Sequence, residues 1–241
     1  MKHNSQNAPE GAIVLLHACA HNPTGVDPTP DQWKAISDIV KEKKLFPFFD
    51  MAYQGFASGS TARDAFAVRH FVEQGHQLAL SQSFAKSMGL YGERVGAFSL
   101  VTADPEEKAR VESQLKILIR PMYSNPPING ARIVNTILSD KDLYQEWESE
   151  LRVMANRIIG MRERLYDLLT TTYNTPGDWS HIKRQIGMFS FTGLNPTQTK
   201  ALVEKAHIYL TADGRISVAG LNGSNIDYFA ESVSKAVKGT L

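Results

Sequence analysis

The strongest constraint on the fold is a repeated pattern of short apolar segments, each followed by polar residues and then by a helix-start signal. Residues 11–18 (GAIVLLHA) form the first such segment, with the β-branched composition and length of a strand buried on both faces of a parallel sheet. Thr29, Pro30 and Gln32 then supply an N-cap, a proline at the first helical position and a capping-box partner. This part of the sequence therefore predicts a strand, a loop and a helix.

The same pattern recurs along the first half of the chain. Short apolar segments at residues 45–49, 77–81 and 95–101 have the length and composition of further strands. Asp104 and Pro105 then supply the N-cap and the first helical position of another helix. Strands that alternate with helices indicate an α/β fold, in which we expect a mostly parallel sheet.

A different pattern begins near residue 140. Residues 140–171 form one long, highly charged helical stretch without proline, and such a helix often bridges two domains. Further on, the sequence predicts a small α+β domain with strands at residues 187–192, 208–210 and 215–218, a capped helix from about Asn195 and a final helix. We therefore predict one large domain over residues 1–139, and a long bridging helix with a small C-terminal domain over residues 140–241.

Composition and charge argue against several kinds of partner. Of the 241 residues, 42% are hydrophobic and 21% are charged, and the net charge is +1 with no long run of one sign, so we expect no nucleic-acid partner. No segment reaches the roughly 20 apolar residues of a membrane span, and residues 1–10 lack a secretory signal. The lone cysteine, Cys19, cannot form an intrachain disulfide. We expect a soluble protein of the cytoplasm, with the mitochondrial matrix as the alternative, and we assign no metal ligands.

Polar residues that could carry chemistry follow the predicted strands. Ligands of parallel α/β sheets bind at the carboxyl ends of the strands, so these positions are the first candidates. They comprise His17, His21 and Asn22 after the first strand, Asp50 and Tyr53 after the second, and Ser83, Lys86 and Arg94 after the third. Each one alone is typical of a turn, a cap, a core position or a surface charge. Together they supply the carboxylate, hydroxyls, guanidinium and lysine that pyridoxal 5′-phosphate (PLP) requires.

Longer segments around these residues carry a resemblance to a known family. The segments are LLHACAHNPTG, FFDMAYQGF, SQSFAKSMGLYGERVG, IRPMYSNPP, GMFSFTGL and DGRISVAGLN. In this order they resemble segments of the class I, fold-type I aspartate aminotransferases, and the resemblance covers nearly the entire chain. The lysine segment with its downstream arginine is highly specific, whereas NPTG alone would be weak evidence. The resemblance implies a fold-type I PLP-transferase fold, with residues 1–139 as part of the PLP-binding large domain.

The resemblance also implies roles for the candidate residues. Lys86 would form the Schiff base with PLP and, once released by substrate, would move the proton between the substrate Cα and the C4′ carbon of the cofactor. Asp50 would keep the pyridine nitrogen protonated, so that the ring can accept electrons, and His17 would support Asp50. His21 receives no clear role.

Four further residues would hold the cofactor. Asn22 and Tyr53 would hydrogen-bond its phenolic oxygen, which lowers the pKa of the Schiff-base nitrogen so that an incoming amino acid can be deprotonated near neutral pH. Asn22 is also assigned to the substrate site. Ser83 and Arg94 would bind the phosphate, because an anion is matched by hydroxyl donors and a guanidinium.

Two arginines are expected to select the substrate. Aspartate and glutamate carry two carboxylates, and a guanidinium can pair with each in a bidentate fashion. Arg215 matches the family position that binds the α-carboxylate. Arg120 matches the position that binds the side-chain carboxylate across a dimer interface, so the resemblance implies a homodimer. The implied reaction is transamination between L-aspartate and 2-oxoglutarate, which gives oxaloacetate and L-glutamate.

The chain departs from the family in two respects. Ser87 follows the lysine where many relatives have asparagine. Compared with the family, the chain is also expected to lack an N-terminal portion, which in relatives supplies a dimer-clasping arm, a phosphate-binding loop, an aromatic ring stacked on PLP and a tyrosine for the neighbouring subunit. We therefore expect an incomplete large domain with an uncovered sheet edge and exposed apolar helix faces.

Two alternatives stay open at this point. The chain could be a catalytically silent, truncated aminotransferase-like domain that acts only through protein association, which predicts no attachment of the cofactor. It could also be an aromatic aminotransferase or a PLP-dependent lyase. The pair of arginines, Arg120 and Arg215, favours dicarboxylates over both of these.

Overall fold

A computed structural model describes residues 7–241, and it divides the chain into two compact units. The first unit contains the described residues up to Cys19 together with Pro28–Gly55 and Thr61–Glu150. The second unit contains Ala20–Asp27, Phe56–Ser60 and Leu151–Leu241. The division after Glu150 falls inside the long helix rather than before it. The domain assignment at residues 139 and 140 stays a prediction.

The first unit is built on a four-stranded sheet with the strand order β1-β2-β3-β4. The strands are β1 (Ile13–His17), β2 (Phe46–Met51), β3 (Ala79–Ser83) and β4 (Gly96–Leu100). The β1–β2 and β2–β3 pairs are parallel, and the β3–β4 pair is antiparallel. The four strands predicted in this half of the chain are therefore confirmed, as is the mostly parallel sheet.

Helices follow the strands of the first unit. They are α1 (Pro30–Glu42), α2 (Thr61–Asp64), α3 (Phe66–Glu73), α4 (Pro105–Met122), α5 (Asn129–Ser139) and the part of α6 (Lys141–Asp167) that ends at Glu150. The predicted capping box of α1 is confirmed, because the Gln32 N–H donates to Thr29 Oγ1 at 3.3 Å and the Thr29 N–H donates to Gln32 Oε1 at 2.9 Å. Asp104 caps α4 by accepting from the Glu107 N–H at 2.7 Å.

An aromatic cluster forms the core of the first unit. Trp33 and Val40 lie on the buried face of α1, because their spacing of seven residues returns to the same side of a helix. The Trp33 ring packs against Phe49 of β2 and Phe71 of α3 with centroid distances of 5.9 and 6.2 Å. Phe49 and Phe71 meet edge to face at 5.0 Å. Burial of each such side chain stabilises the fold by roughly 1.5–3 kcal/mol.

The prediction that the first strand is buried on both faces is wrong. Ile13 and Leu15 are 70% and 61% exposed, whereas Leu16 is fully buried. Successive side chains of a strand point to opposite faces, so Ile13 and Leu15 share the uncovered face of β1, which lies at an edge of the described sheet. Helix α4 likewise contains no buried residue, and its Ile117 and Leu118 are exposed. The expected uncovered apolar surface is therefore present in the described residues.

The second unit is a small α+β arrangement around a two-stranded sheet. After the π-helical turn Leu168–Thr172, its elements are α7 (His181–Arg184), β5 (Phe189–Phe191), α8 (Pro196–Ala206), β6 (Arg215–Ser217), the 3₁₀ turn Val218–Gly220 and α9 (Ile226–Lys238). Strands β5 and β6 pair antiparallel. Asn195 and Gln198 form a capping box at the start of α8, as the predicted capped helix requires.

The strand predicted at residues 208–210 is wrong. His207 ends α8 in the left-handed conformation, with φ of +52°, and the Ile208 N–H closes the helix end by donating to the Leu202 carbonyl at 3.0 Å. The backbone that would begin a strand is therefore used in the helix terminus. Tyr209 is largely exposed, so its side chain does not provide the buried face that holds a strand in a sheet.

Candidate active site

The carboxyl ends of β1, β2 and β3 lie side by side. His17 pairs with Asp50 across the β1–β2 ladder, and Asp50 pairs with Ser81 across the β2–β3 ladder. Ser83 is the last residue of β3, two residues after Ser81, and therefore lies at the same end of the sheet. The Ala18 N–H donates to the Asp50 carbonyl at 2.9 Å and so continues the first ladder. His17, Asp50 and Ser83 are each partly buried at this end of the sheet.

Arg94 reaches the same end of the sheet from the antiparallel strand. Gly96, the first residue of β4, pairs with Ser83, and Arg94 lies two residues before it. Arg94 has the left-handed backbone conformation, with φ of +50°. Its exposed guanidinium donates one hydrogen bond to the Tyr91 carbonyl at 3.0 Å. The remaining N–H groups of the five on an arginine are suited to an anion.

Lys86 and Tyr53 contact each other through their side chains. The Lys86 Nζ atom lies 5.2 Å from the centroid of the Tyr53 ring, within the range of a cation–π interaction. Tyr53 is 6% exposed, whereas Lys86 is only partly buried. The loop after β2 and the loop after β3 therefore bring an amine and a phenol ring together.

Asn22 belongs to the second unit, in the segment Ala20–Asp27. The Asp27 carboxylate holds the start of this segment by accepting from the backbone N–H groups of Ala20 and His21 at 2.5 and 2.8 Å. His21, which had no role in the sequence analysis, shares a hydrogen bond of 2.7 Å with Thr24 Oγ1. These contacts fix the backbone on either side of Asn22, whose side chain is exposed.

Glycine is required at position 25 in this segment. Gly25 has φ of +65°, and an added Cβ atom would lie 2.9 Å from the Ile186 carbonyl oxygen. The Ile186 N–H also donates to the Gly25 carbonyl at 2.8 Å, so the two backbones are in direct contact. The glycine of the NPTG motif is therefore explained by a close approach of two backbone segments within the second unit.

Arg215 and Arg120 occupy different surroundings. Arg215 is the first residue of β6 in the second unit, and its guanidinium carbon lies 5.3 Å from the centroid of the Phe189 ring. Arg120 lies in the last turn of α4 in the first unit and is exposed. The sheet end thus brings together His17, Asp50, Ser83 and Arg94, with Lys86 against Tyr53 in the adjoining loops, while Arg120 is on a separate helix.

Comparison with known proteins identifies the family. The family model described as "Aminotransferase class I and II" matches residues 1–233. The chain belongs to this family. It is 61% identical over 231 residues to the mitochondrial aspartate aminotransferase of Dictyostelium discoideum and to the cytoplasmic aspartate aminotransferase of Oryza sativa subsp. japonica. These matches cover 96% of this chain but 54% and 56% of the relatives, so the chain spans about half the length of the curated relatives it matches.

A solved structure agrees with this family membership. The aromatic-amino-acid aminotransferase from Burkholderia pseudomallei, covalently bound to pyridoxal phosphate, is 44% identical and matches with a TM-score of 0.96. The match covers 98% of this chain and 59% of that chain. The predicted fold-type I aminotransferase fold is therefore confirmed. Among residues 7–241, no helix has the length and apolar character that a membrane span needs.

Two residues that hold the loops around Lys86 and Tyr53 were not predicted from the sequence. The Trp147 indole N–H donates to the carbonyl of buried Ser87 at 2.8 Å, directly after Lys86. The carboxylate of buried Asp64 accepts from the Gly55 N–H at 2.7 Å, close to Tyr53. A signal for Trp147 does exist, since Tyr144, Trp147 and Leu151 recur at helical spacing in an otherwise charged stretch.

Proposed function

We propose that the chain is part of a PLP-dependent aminotransferase that transfers an amino group between L-aspartate and 2-oxoglutarate. The products are oxaloacetate and L-glutamate. The observation that carries this proposal is the Lys86 amine, 5.2 Å from the Tyr53 ring centroid, beside a sheet end that also presents Asp50. The names of the relatives, aspartate aminotransferases at 61% identity, support the choice of substrate.

The groups at this end of the first unit fit PLP. A partly buried carboxylate at Asp50 suits a protonated ring nitrogen, because a charge in a partly desolvated site is stabilised by its opposite. The Ser83 hydroxyl and the guanidinium of Arg94 suit a phosphate, because within residues 7–241 the guanidinium donates one hydrogen bond, to the Tyr91 carbonyl, and keeps its other donors for an anion. The Lys86 amine is the group that can react with the aldehyde of PLP.

Each residue then has a defined task in the proposed reaction. When bound, PLP would supply a ring that accepts electrons from the substrate Cα atom. Lys86 Nζ would take the proton from that Cα atom and deliver it to the C4′ carbon of the cofactor, as a general base that is already in place. Asp50 keeps a proton on the ring nitrogen, and His17 supports Asp50. Tyr53 donates a hydrogen bond to the phenolic oxygen of the cofactor.

The remaining residues are proposed to bind and select. Ser83 and Arg94 bind the phosphate, and Asn22 contributes to the binding of both cofactor and substrate. Arg215 pairs with the α-carboxylate of the substrate. Arg120 pairs with the side-chain carboxylate in the site of a second subunit, so the proposed active form is a homodimer.

The compartment is a proposal as well. The relatives include one mitochondrial and one cytoplasmic aspartate aminotransferase, and both match this chain at the same identity. We propose the cytoplasm, with the mitochondrial matrix as the alternative. Fractionation of cells followed by detection of the complete protein distinguishes the two.

Turnover of aspartate and of phenylalanine tests the reaction. The complete protein is loaded with PLP and assayed with each amino acid and 2-oxoglutarate. We expect turnover of aspartate to exceed that of phenylalanine by about tenfold or more, because a phenyl ring leaves the arginine that would bind the second carboxylate without a partner. Arg120→Leu should narrow this ratio, and Lys86→Ala should lower turnover on the order of 10³-fold.

The controls separate the alternatives. Lys34→Ala removes an exposed lysine of α1 that forms a surface ion pair with Asp31, and it should leave turnover unchanged. Equal or greater turnover of phenylalanine would overturn the aspartate assignment in favour of an aromatic aminotransferase. Absence of turnover with either substrate in a folded, PLP-loaded protein would favour a catalytically silent domain.

A further inference from the structure

The ring of Phe189 lies beneath the guanidinium of Arg215 in the second unit. Phe189 pairs with Ser217 across the β5–β6 ladder, and Phe191 pairs with Arg215. Residues that are directly opposite or two apart share one face of a sheet, so these four side chains lie on the same side. The guanidinium carbon of Arg215 is 5.3 Å from the Phe189 ring centroid, a distance typical of a cation–π contact.

The strand that carries the ring is held by a buried arginine. Arg162 of α6 is 3% exposed, and it donates to the backbone carbonyls of Ile182, Gly187 and Phe189 at 3.1, 2.8 and 2.5 Å. Burial lowers the pKa of Arg162 to about 10, so it remains charged at neutral pH. A planar guanidinium with several donors can bind three carbonyls at once, which an ammonium cannot do in the same plane. The backbone of Phe189 is thereby fixed.

The backbone of Arg215 is fixed from the other side. Its N–H donates to Thr211 Oγ1 at 3.0 Å, and the Thr211 backbone N–H donates to the Arg215 carbonyl at 3.3 Å, while the Thr211 hydroxyl donates to the Asp213 carboxylate. Arg215 also lines an open groove of about 690 Å³ within the second unit, together with Tyr209 and Tyr228. Both ends of the ring–guanidinium contact are therefore anchored, while the arginine side chain stays accessible to a ligand.

We propose that Phe189 is a positioning residue that presets Arg215 for a carboxylate. A long arginine side chain samples many rotamers, and ordering it on binding lowers the affinity for the ligand. An aromatic platform on a fixed strand removes part of this cost, because the guanidinium is already held over the ring before the ligand arrives. The proposal rests on the proposed function only in its choice of a substrate carboxylate as the ligand.

Three variants of β5 test the proposal in the complete, PLP-loaded protein. Phe189→Leu removes the ring, Phe189→Tyr keeps it, and Phe191→Leu removes a second ring on the same face and strand as a matched control. The first readout is the NMR resonance of the Arg215 side-chain N–H group. We expect Phe189→Leu to move this resonance to the position of a mobile arginine, whereas Phe189→Tyr and Phe191→Leu keep its wild-type dispersion.

The second readout is affinity for carboxylates. The dissociation constant for succinate, an unreactive dicarboxylate, and the KM for aspartate should both rise about two- to fivefold in Phe189→Leu, with a smaller change in kcat. Phe189→Tyr should restore both values. Equal losses in Phe189→Leu and Phe191→Leu, or an unchanged Arg215 resonance in Phe189→Leu, would overturn the proposal. If the wild-type protein does not turn over aspartate, the proposed function fails, but the NMR comparison still decides whether Phe189 orders Arg215.

Discussion

The two units hold their candidate functional residues by different means. In the first unit, the ladders of a four-stranded sheet position His17, Asp50 and Ser83, so many backbone hydrogen bonds share the task. In the second unit, Arg215 lies on a strand of three residues, and side chains such as Arg162 and Thr211 fix the surrounding backbone. In the first unit, many backbone hydrogen bonds together hold the candidate residues in place. In the second unit, a few side chains do so, and the position of Arg215 depends on each of these side chains.

This contrast predicts where a single substitution does the most damage. A sheet ladder loses one contact among many when a side chain is changed, unless the change prevents the strands from approaching. A small sheet held by a buried charged group loses several hydrogen bonds at once when that group is removed. The backbone carbonyls that accepted those hydrogen bonds are then left without a donor. The second unit should therefore be more sensitive to the loss of one side chain.

The largest effect is expected for Arg162→Met. This change keeps an apolar stem of similar length but removes the donors to the Ile182, Gly187 and Phe189 carbonyls. We expect the free energy of unfolding to fall by about 3 kcal/mol or more, because hydrogen bonds to a buried charged group are among the strongest. Chemical denaturation, monitored by a probe in the second unit, measures the change.

A neighbouring arginine provides the control for Arg162. Arg164→Met removes a half-exposed arginine on the same helix, which pairs with Asp227 at 2.5 Å. Exposed ion pairs contribute about 0–1 kcal/mol, so this variant should lose far less stability. A loss of under about 1 kcal/mol in Arg162→Met would show that the second unit does not depend on this side chain.

A smaller loss is expected for Gly96→Ala in the ladder of the first unit. A Cβ atom at Gly96 would collide with the Gln82 carbonyl oxygen, which belongs to the neighbouring strand and cannot move without opening the β3–β4 pair. We expect a loss of about 1–3 kcal/mol and weaker hydrogen-exchange protection near Ser83. Gly92→Ala is the matched control, since nothing lies within 4 Å of its added Cβ atom. Equal stability of the two variants would contradict a tightly packed ladder at this position.

The smallest effect concerns the pH dependence of the first unit. Buried His76 shares a hydrogen bond of 2.8 Å with Ser37 Oγ, and its ring packs against Phe71. Burial is the main cause that lowers the pKa of His76, with the nearby charges of Lys41 and His70 acting in the same direction and Asp38 opposing them. The folded state therefore binds fewer protons than the unfolded state between the lowered pKa and the ordinary value of about 6.5.

The lowered pKa of His76 makes the folded protein less stable at acidic pH. The contribution of His76 to stability is fully present above about pH 6.5 and is lost as the pH falls through the lowered pKa. His76→Gln should flatten the fall in the free energy of unfolding over this acidic range, as measured by urea denaturation at several pH values. Phe71→Leu weakens the same cluster without removing the titrating group. It should lower the free energy of unfolding at every pH and leave the slope of that free energy against pH unchanged. An identical slope in wild type and His76→Gln would refute the assignment.

Local signals made much of the fold predictable from the sequence. Thr29 and Asn195 each begin a capping box, a motif that needs only four neighbouring residues, and both helices begin where these residues predict. The short helix Thr61–Asp64 and the helix Phe66–Glu73 were missed, because so few turns provide little periodic signal. The strand predicted at residues 208–210 fitted the composition of a strand, but a helix terminus competes for the same backbone groups.

The candidate site was predictable to the extent that it follows strand ends. The rule that ligands bind at the carboxyl ends of parallel strands pointed to Asp50 and Ser83, and the family resemblance added a role for each. The spacing of Trp147 in α6 indicates a partly buried position, but the carbonyl partners of Trp147 and Arg162 were not predictable, because they lie 60 and 20 to 27 residues away in the chain. Such contacts are created by the fold and leave no local motif.

Covalent attachment of PLP to Lys86 decides whether this residue is the cofactor lysine. The complete protein is incubated with PLP, reduced with borohydride and digested, and the added mass is located by peptide mapping, with Lys86→Arg treated in parallel. We predict that the added mass lies on the peptide that contains Lys86 and is lost in Lys86→Arg. Added mass spread over exposed lysines such as Lys34, equally in both proteins, would contradict it.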